Sequence, residues 1–250
     1  MNLALTDQVV VVLGAASGIG RAIAQTFVQE GAQVVALDRA PTITDVAQAL
    51  ATTPQRVTPI VADVTDYAAL QQAAGQIEAD VGPVTHVVFA VGIGSGKYGF
   101  PFWNLTPADW PKVLAVNIMG AVHTAHAFTP PMRERRAGSL LFLASVAGQI
   151  GSQTDPPYSA SKAALINFSQ CCAKDLAPYQ VRVNTLNPGM VNTPLNQSIW
   201  RASNENLPPA QQLTFEQWSP RRSTGSCRCS AGRSRKTLPT WQSFWPRRSQ

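Results

Sequence analysis

An apolar run at residues 8–13 leads straight into Gly14-Ala15-Ala16-Ser17-Gly18-Ile19-Gly20, and helical periodicity follows through Ala22, Ile23, Phe27 and Val28 up to Gly31. A run without a polar face is a strand covered on both sides, so it belongs in a sheet with helices above and below. Strand, glycine turn and helix in that order make a seat for a pyrophosphate. Glycines let the backbone approach the phosphates, whose charge is stabilised by the free N–H groups and dipole at the helix start. Gly14, Ser17, Gly18, Ile19 and Gly20 are the residues in reach. A second strand at 33–37 ends in Asp38, eighteen residues after Gly20. A carboxylate there accepts both hydroxyls of an adenosine ribose and repels a 2′-phosphate, which selects NAD over NADP. Arg39, the next residue, is placed to rescue some NADP binding.

The pattern then repeats. A strand at 57–61 precedes Asp63-Val64, a helix covers 67–80, and a strand at 85–91 precedes Gly92. A glycine-rich loop, a helix at 107–128, a strand at 139–144, a helix at 158–177 and a strand at 181–186 before Asn187-Pro188-Gly189 complete it. Alternation with short connections implies a parallel sheet with helices on both faces. The expected fold class is α/β: a Rossmann-type doubly wound parallel sheet, a single domain over residues 1–218, with an atypical C-terminal tail at 219–250. At 250 residues and 45% hydrophobic, the chain is long enough to bury such a core. Ligands in this architecture collect at the carboxyl ends of the strands, where Gly14, Asp38, Asp63, Gly92, Ser145 and Pro188 all fall.

Tyr158-Ser159-Ala160-Ser161-Lys162 supplies the chemistry. On a helix Tyr158 and Lys162 share a face at i and i+4, and Ser145 lies thirteen residues upstream of Tyr158. A free phenol titrates near pH ~10, and a neighbouring cation favours the phenolate. Bringing it to neutrality needs roughly 3 to 4 kcal/mol, more than a solvated lysine supplies. An oxidised nicotinamide ring offers a second positive charge. Ser145 would hydrogen-bond the reacting oxygen while Tyr158 gives or takes its proton. By itself a Tyr-x-x-x-Lys spacing is common on amphipathic helices. The dinucleotide turn gives it meaning.

Taken together, residues 7–193 resemble the short-chain dehydrogenase/reductase (SDR) family, with motifs in the family's order and spacing. The glycine turn matches its T-G-x-x-x-G-x-G signature, with Leu13 in place of Thr. The resemblance implies that Asp63-Val64 meets the adenine ring, that Pro188-Gly189 is the family's P-G pair, and that Thr193 touches the nicotinamide carboxamide. It further implies a catalytic tetrad of Asn117, Ser145, Tyr158 and Lys162, with Asn117 holding a water against the lysine and Lys162 binding the ribose. Where the family commonly reads N-N-A-G, this chain has Phe89-Ala90-Val91-Gly92, so Ala90 and Gly92 are carried over as cofactor contacts and the Asn side chains are lost. Pairing of the helices at 107 and 158 between subunits is also implied, giving a homo-oligomer, dimer or tetramer.

The expected activity is NAD-dependent interconversion of a secondary alcohol and a ketone. The substrate wall is expected from 93–103, 146–157 and 190–218. Gln149, Ser152, Gln153, Thr154 and Asn196 would offer hydrogen bonds, and Tyr98, Phe100, Phe102 and Trp200 apolar surface. This favours a sugar or polyol, with a keto ester or 3-oxoacyl thioester as the alternative. A protein of the same fold that senses NADH or binds nucleic acid without turnover is the reading from another class. His123 and His126, at i and i+3, have no third ligand at metal spacing and are expected on a helix or subunit face. Cys171-Cys172 are expected as buried small apolar groups. No apolar run reaches the ~18 residues of a membrane span, the N-terminus lacks a secretory pattern, and cysteine is scarce, which points to the cytoplasm.

Residues 219–250 break the pattern. They hold eight Arg or Lys and no Asp or Glu, so residues 1–218 carry 12 basic against 14 acidic side chains, a net of −2. The overall +6 is thus a property of the tail and does not mark the domain as a nucleic-acid binder. Three readings compete: a disordered basic extension, a cap of unusual composition, or a shifted reading frame. Joining the last base of each codon to the first two of the next, residues 219–247 can spell AAKIDRVVPLLGRSQPEDVADMAVFLAS. That resembles the family's next segment, and Trp241-Gln242, Phe244-Trp245 and Trp245-Pro246 force Ala, Leu and Ala whatever the third bases. The frameshift is the favoured reading, and the intact mass of the natural protein checks it. A chain ending as written would leave the strand at 181–186 with an open edge.

Overall fold

A computed structural model describes residues 3–51, 56–151, 155–189, 191–205 and 207–218. Six strands form one parallel sheet: β1 (Val9–Leu13), β2 (Gln33–Asp38), β3 (Val57–Val61), β4 (Val84–Phe89), β5 (Gly138–Leu143) and β6 (Val181–Leu186). Their order across the sheet is β3-β2-β1-β4-β5-β6. β1 is central, with Leu13 aligned to Leu37 on one side and Phe89 on the other. All five of its residues are buried. The order in which strands are added across the sheet reverses between β1 and β4, which opens a crevice at their carboxyl ends.

Successive side chains of a strand face opposite sides, and the core divides accordingly. Val9, Val11, Leu13, Val87 and Phe89 pack with Leu70, Ile77, Phe128, Met132 and Leu165 on one face. Val10, Val12, Val34 and Val88 pack with Ala24, Val28, Ile43 and Ala47 on the other. Those partners come from α3 (Tyr67–Asp80), α5 (Gly120–Arg135) and α6 (Pro156–Leu176) on the first side, and from α1 (Gly18–Gln29) and α2 (Ile43–Leu50) on the second. α2 carries its signal in the spacing of Ile43, Ala47 and Leu50, all buried, yet it is short enough to be passed over in the sequence.

Two departures matter for the site. The helix expected over 107–128 is instead a 3-10 turn, α4 (Pro111–Leu114), a π turn at Ala115–Met119 and α5, which continues through Pro130-Pro131. Prolines normally end a helix, but fully buried Met132 and Phe128 anchor this last stretch to the sheet. The π turn contains Asn117, which is fully buried. Such turns insert one extra residue and redirect a side chain, and they recur at functional positions. α7 (Pro194–Glu205) was not anticipated as a helix. Among the described residues no strand pairs with the outer edge of β6, and Leu186 is 46% exposed. The tail at 219–250 lies outside the described residues, and with it the frameshift reading.

Candidate active site

The turn after β1 is shaped by two glycines that admit nothing larger. Gly14 has φ 84°, and a Cβ on it would stand 2.9 Å from the Ala90 carbonyl carbon. A Cβ on Gly20 would collide with the Gly14 carbonyl oxygen. The turn is therefore pressed against the strand behind it, leaving the start of α1 bare toward the crevice. Asp38 ends β2 beside it: Oδ2 accepts the Ala16 N–H at 3.1 Å and Oδ1 the Ala40 N–H at 3.0 Å. These bonds fix the carboxylate and leave further lone pairs for a ribose. Asp63 is held by Thr65, whose backbone N–H bonds it at 2.9 Å and whose hydroxyl bonds it at 2.7 Å. Those bonds keep the Asp63 carboxyl below its usual range.

A single cleft of about 860 Å³ runs from this turn to the end of β5. It is lined by Gly14, Ser17, Gly18, Ile19, Gly20, Asp38, Asp63, Val64, Ala90, Gly92, Ser145, Tyr158, Lys162, Pro188, Gly189 and Thr193. Every residue expected to touch the cofactor therefore lines one space, although Gly14 and Thr193 are 179 positions apart in the chain. Thr193 lies over the glycine turn, its Cγ2 3.5 Å from where a Gly18 Cβ would be. Bare helix start, fixed carboxylate and cleft length together fit a nicotinamide dinucleotide.

At the far end, Lys162 is 3% exposed and donates to the Leu143 carbonyl at 2.7 Å. Its Nζ stands 5.6 Å from the centre of the Tyr158 ring. Gly92 keeps room for it, since a Cβ there would approach Nζ to 3.0 Å. Ser145 caps the turn Val146–Gly148, and its Oγ accepts the Ala147 N–H at 3.1 Å. Burial raises the Tyr158 phenol above its ordinary value, a hydrogen bond with Ser145 pulls it back, and the Asp155 charge raises it again. Burial also brings the Lys162 ammonium down to about 8. Desolvation pushes phenol and amine alike toward their neutral forms.

A linkage effect follows. Between about pH 8 and 10.5 the unfolded chain holds the Lys162 proton and the folded one does not, so stability rises with pH across that window. The lysine contributes on the order of 3 kcal/mol to that rise. Chemical denaturation of the cofactor-free protein at pH 8 and pH 10 should show the gain, and Lys162→Met should largely remove it.

Asn117 does not line the cleft. Its Oδ1 accepts the Ile93 N–H at 2.8 Å, and its Nδ2 donates to the Ile93 carbonyl at 2.9 Å and to Ser161 Oγ at 2.8 Å. It sits behind Gly92 and braces the loop after β4.

The expected substrate wall needs correction. Ser152, Gln153 and Thr154 lie outside the described residues. Asn196 lines the cleft as expected, with its Nδ2 donating to the Val191 carbonyl. Gln149, Tyr98, Phe100, Phe102 and Trp200 are not among the lining residues. Trp200 turns away to donate to the Leu213 carbonyl at 2.8 Å and to meet Phe215 edge-on. In their place Ile150, Val191, Leu195, Ile199 and Trp218 form the wall. Leu195, Ile199 and Trp218 follow from the path of α7 and the 207–218 segment, which strand and helix periodicity upstream does not encode.

His123 bonds the Val64 carbonyl at 2.9 Å and packs on Tyr67, with ring centres 5.4 Å apart. Among the described residues no group of three or more His, Cys, Asp or Glu could hold a metal ion. Cys171 is exposed and only Cys172 reaches the core, so the pair is not buried together as expected. No helix among the described residues is long and apolar enough to cross a membrane.

Comparison with known proteins agrees with this geometry. Residues 8–204 match the family described as short chain dehydrogenase. An acetoacetyl-CoA reductase of Synechocystis sp. is 37% identical over 199 residues, covering 80% of this chain and 78% of that protein. The crystal structure of levodione reductase superposes with a TM-score of 0.76 at 27% identity, covering 82% of this chain and 80% of that one. A putative NAD(P)-dependent gluconate 5-dehydrogenase from Beutenbergia cavernae, with NADP bound at low occupancy, gives a TM-score of 0.72 at 31% identity, covering 80% of this chain and 79% of that one. With its sheet order, its glycine turn and a match over most of its length, the chain belongs to the short-chain dehydrogenase/reductase family of oxidoreductases.

Proposed function

We propose that the protein interconverts a secondary alcohol and a ketone by hydride transfer, with Asn117, Ser145, Tyr158 and Lys162 as the catalytic set and NAD as the preferred cofactor. The observation that carries this reading is the convergence of Ser145, Tyr158 and Lys162 at one end of the cleft whose other end holds Gly14 and Asp38. The bound dinucleotide supplies the hydride acceptor, or the donor in the reverse direction. Tyr158 Oη takes the alcohol proton in oxidation and returns it in reduction. Ser145 Oγ steadies the reacting oxygen as its charge changes. Lys162, deep beneath the phenol, adds positive charge when protonated and so favours the phenolate. Asn117 fixes the loop above Lys162, and its carbonyl oxygen retains a lone pair for a relay water. Asp38 holds the adenosine ribose and sets the preference for NAD.

The wall of Ile150, Val191, Leu195, Ile199 and Trp218 supports an aliphatic ketone, a keto ester or a 3-oxoacyl thioester over a sugar or polyol. The likeness to an acetoacetyl-CoA reductase points the same way. Assays with ethyl acetoacetate, acetoacetyl thioesters and a set of polyols, each with NADH or NADPH or their oxidised forms, test it at the nicotinamide absorbance. Reduction of the keto esters is expected to dominate, and oxidation of polyols without keto ester turnover would overturn the substrate assignment. Pairing of α4–α5 and α6 between copies, as a dimer or tetramer, is read from the family and is checked by light scattering.

A further inference from the structure

Asp155 is a buried carboxylate to which the mechanism above gives no part. It is 3% exposed and lies on the wall of the cleft. Its two oxygens serve different segments. Oδ1 accepts the backbone N–H of Tyr158 at 3.3 Å, capping α6, and Oδ2 accepts the backbone N–H of Ser95 at 2.8 Å. Gly94 lies flat against the same oxygen, since a Cβ there would come within 2.5 Å of Oδ2. Ile93, one residue earlier, is gripped at both its N–H and its carbonyl by Asn117. The loop after β4 is thus held from beneath by two buried polar side chains, and one of them also begins the helix that carries Tyr158.

We propose that Asp155 is a positioning residue for proton transfer: it ties the loop at Gly94 and Ser95 to the first turn of α6, fixing Tyr158 against that loop with a buried carboxylate at the cap of the helix that carries it. The inference rests on Tyr158 being the acid/base.

A helix cap at the surface has its charge screened by water. Here the carboxylate is out of water, so its charge is felt by its neighbours. Burial raises the Asp155 carboxyl, and the N–H groups of Ser95 and Tyr158 offset that by favouring the ionised form. The charged groups near the phenol are Asp155 at the helix cap and Lys162 one turn on. The end of β5 contributes Ser145 and α7 contributes Asn196 and Ser198, none of them charged. Lys97, the nearest cation in the loop, is paired with Asp109 at 2.7 Å. Asp155 therefore opposes ionisation of Tyr158, and Lys162 with the cationic nicotinamide favours it.

The test is Asp155→Asn in the full chain. Asparagine is a good helix cap, so the bond to Tyr158 N–H can persist, while the charge goes and the amide cannot serve both N–H groups. With ethyl 3-hydroxybutyrate as the alcohol, the acidic limb of kcat/KM is expected to move down by about one pH unit, and the plateau to fall several-fold as the loop loosens. Asp155→Glu should restore the limb more than the plateau. A second measurement needs no turnover: the phenolate absorbance of Tyr158, read as the difference between each protein and its Tyr158→Phe partner, should show the same downward shift. A limb and a phenol titration unmoved by Asp155→Asn, with only a lower melting temperature, would make Asp155 an ordinary cap and overturn the proposal. If the parent protein turns over no alcohol, the acid/base reading fails, and the phenol titration still decides the role of Asp155.

Discussion

Tyr158→Phe is expected to lower kcat by about 10³-fold in both directions while leaving the fold and the binding of NADH in place. Removing a positioned proton donor costs 10² to 10⁴ in rate, and the lower end applies only where another group can take over. Here every other polar group named at this end of the cleft is already engaged, Asp155 by the Ser95 and Tyr158 N–H groups. The Ser145 hydroxyl is already engaged with the Ala147 N–H and with Tyr158, and Lys162 is turned to the Leu143 carbonyl. The substitution removes one oxygen and leaves the ring packed at the start of α6, so the melting temperature should stay close to the parent's. Stopped-flow at the nicotinamide absorbance and fluorescence titration with NADH separate chemistry from binding. A variant that binds NADH and turns over within a few-fold of the parent would refute Tyr158 as the acid/base.

With Asp38 selecting NAD as proposed, Asp38→Asn should raise the ratio of kcat/KM with NADPH to that with NADH by about 100-fold. Two effects add. The carboxylate repels a 2′-phosphate across a few ångströms of partly solvated space, a cost of roughly 1 to 3 kcal/mol. It also accepts ribose hydroxyls as an ionised partner, and hydrogen bonds to charged groups are worth about 1.5 to 3 kcal/mol each, which an amide only partly replaces. Arg39 follows it at the mouth of the cleft, exposed and free to swing toward a phosphate once the competing anion is gone. Its positive charge already reaches Asp63. Adding Arg39→Ala to Asp38→Asn should then remove most of the NADPH gain. A parent enzyme that already prefers NADPH would show that Arg39 outweighs Asp38.

Periodicity and turn chemistry made most of the scaffold legible. The ends of β3, α3 and β6 fall where the apolar pattern places them, because buried strands and amphipathic helices declare themselves within a few residues. The Gly14 and Gly20 turn is equally local, since its sterics involve one loop and the strand behind it. Asp38 and Ser145 were placed by their positions at strand ends, and Tyr158 and Lys162 by their i, i+4 spacing on one helix. The segments of the substrate wall, 93–103, 146–157 and 190–218, were legible, but which of their side chains face the cleft was not. Tyr98, Phe100, Phe102 and Trp200 are large and apolar, which describes cleft wall, loop surface and helix latch equally well. Cys171 and Cys172 are alike in sequence and differ only in which way α6 turns each.

The sequence by itself determined that a dinucleotide turn, a ribose-facing carboxylate and a Tyr/Lys pair would meet at the ends of parallel strands. Only the tertiary structure decided which buried polar groups answer one another: Asn117 redirected by a π turn onto Ile93, and Asp155 reaching Ser95 sixty residues back. The reason is physical. Hydrophobic pattern is read along the chain, whereas a buried donor or acceptor must find its partner across space once water is gone, and that partner is fixed by how the elements pack.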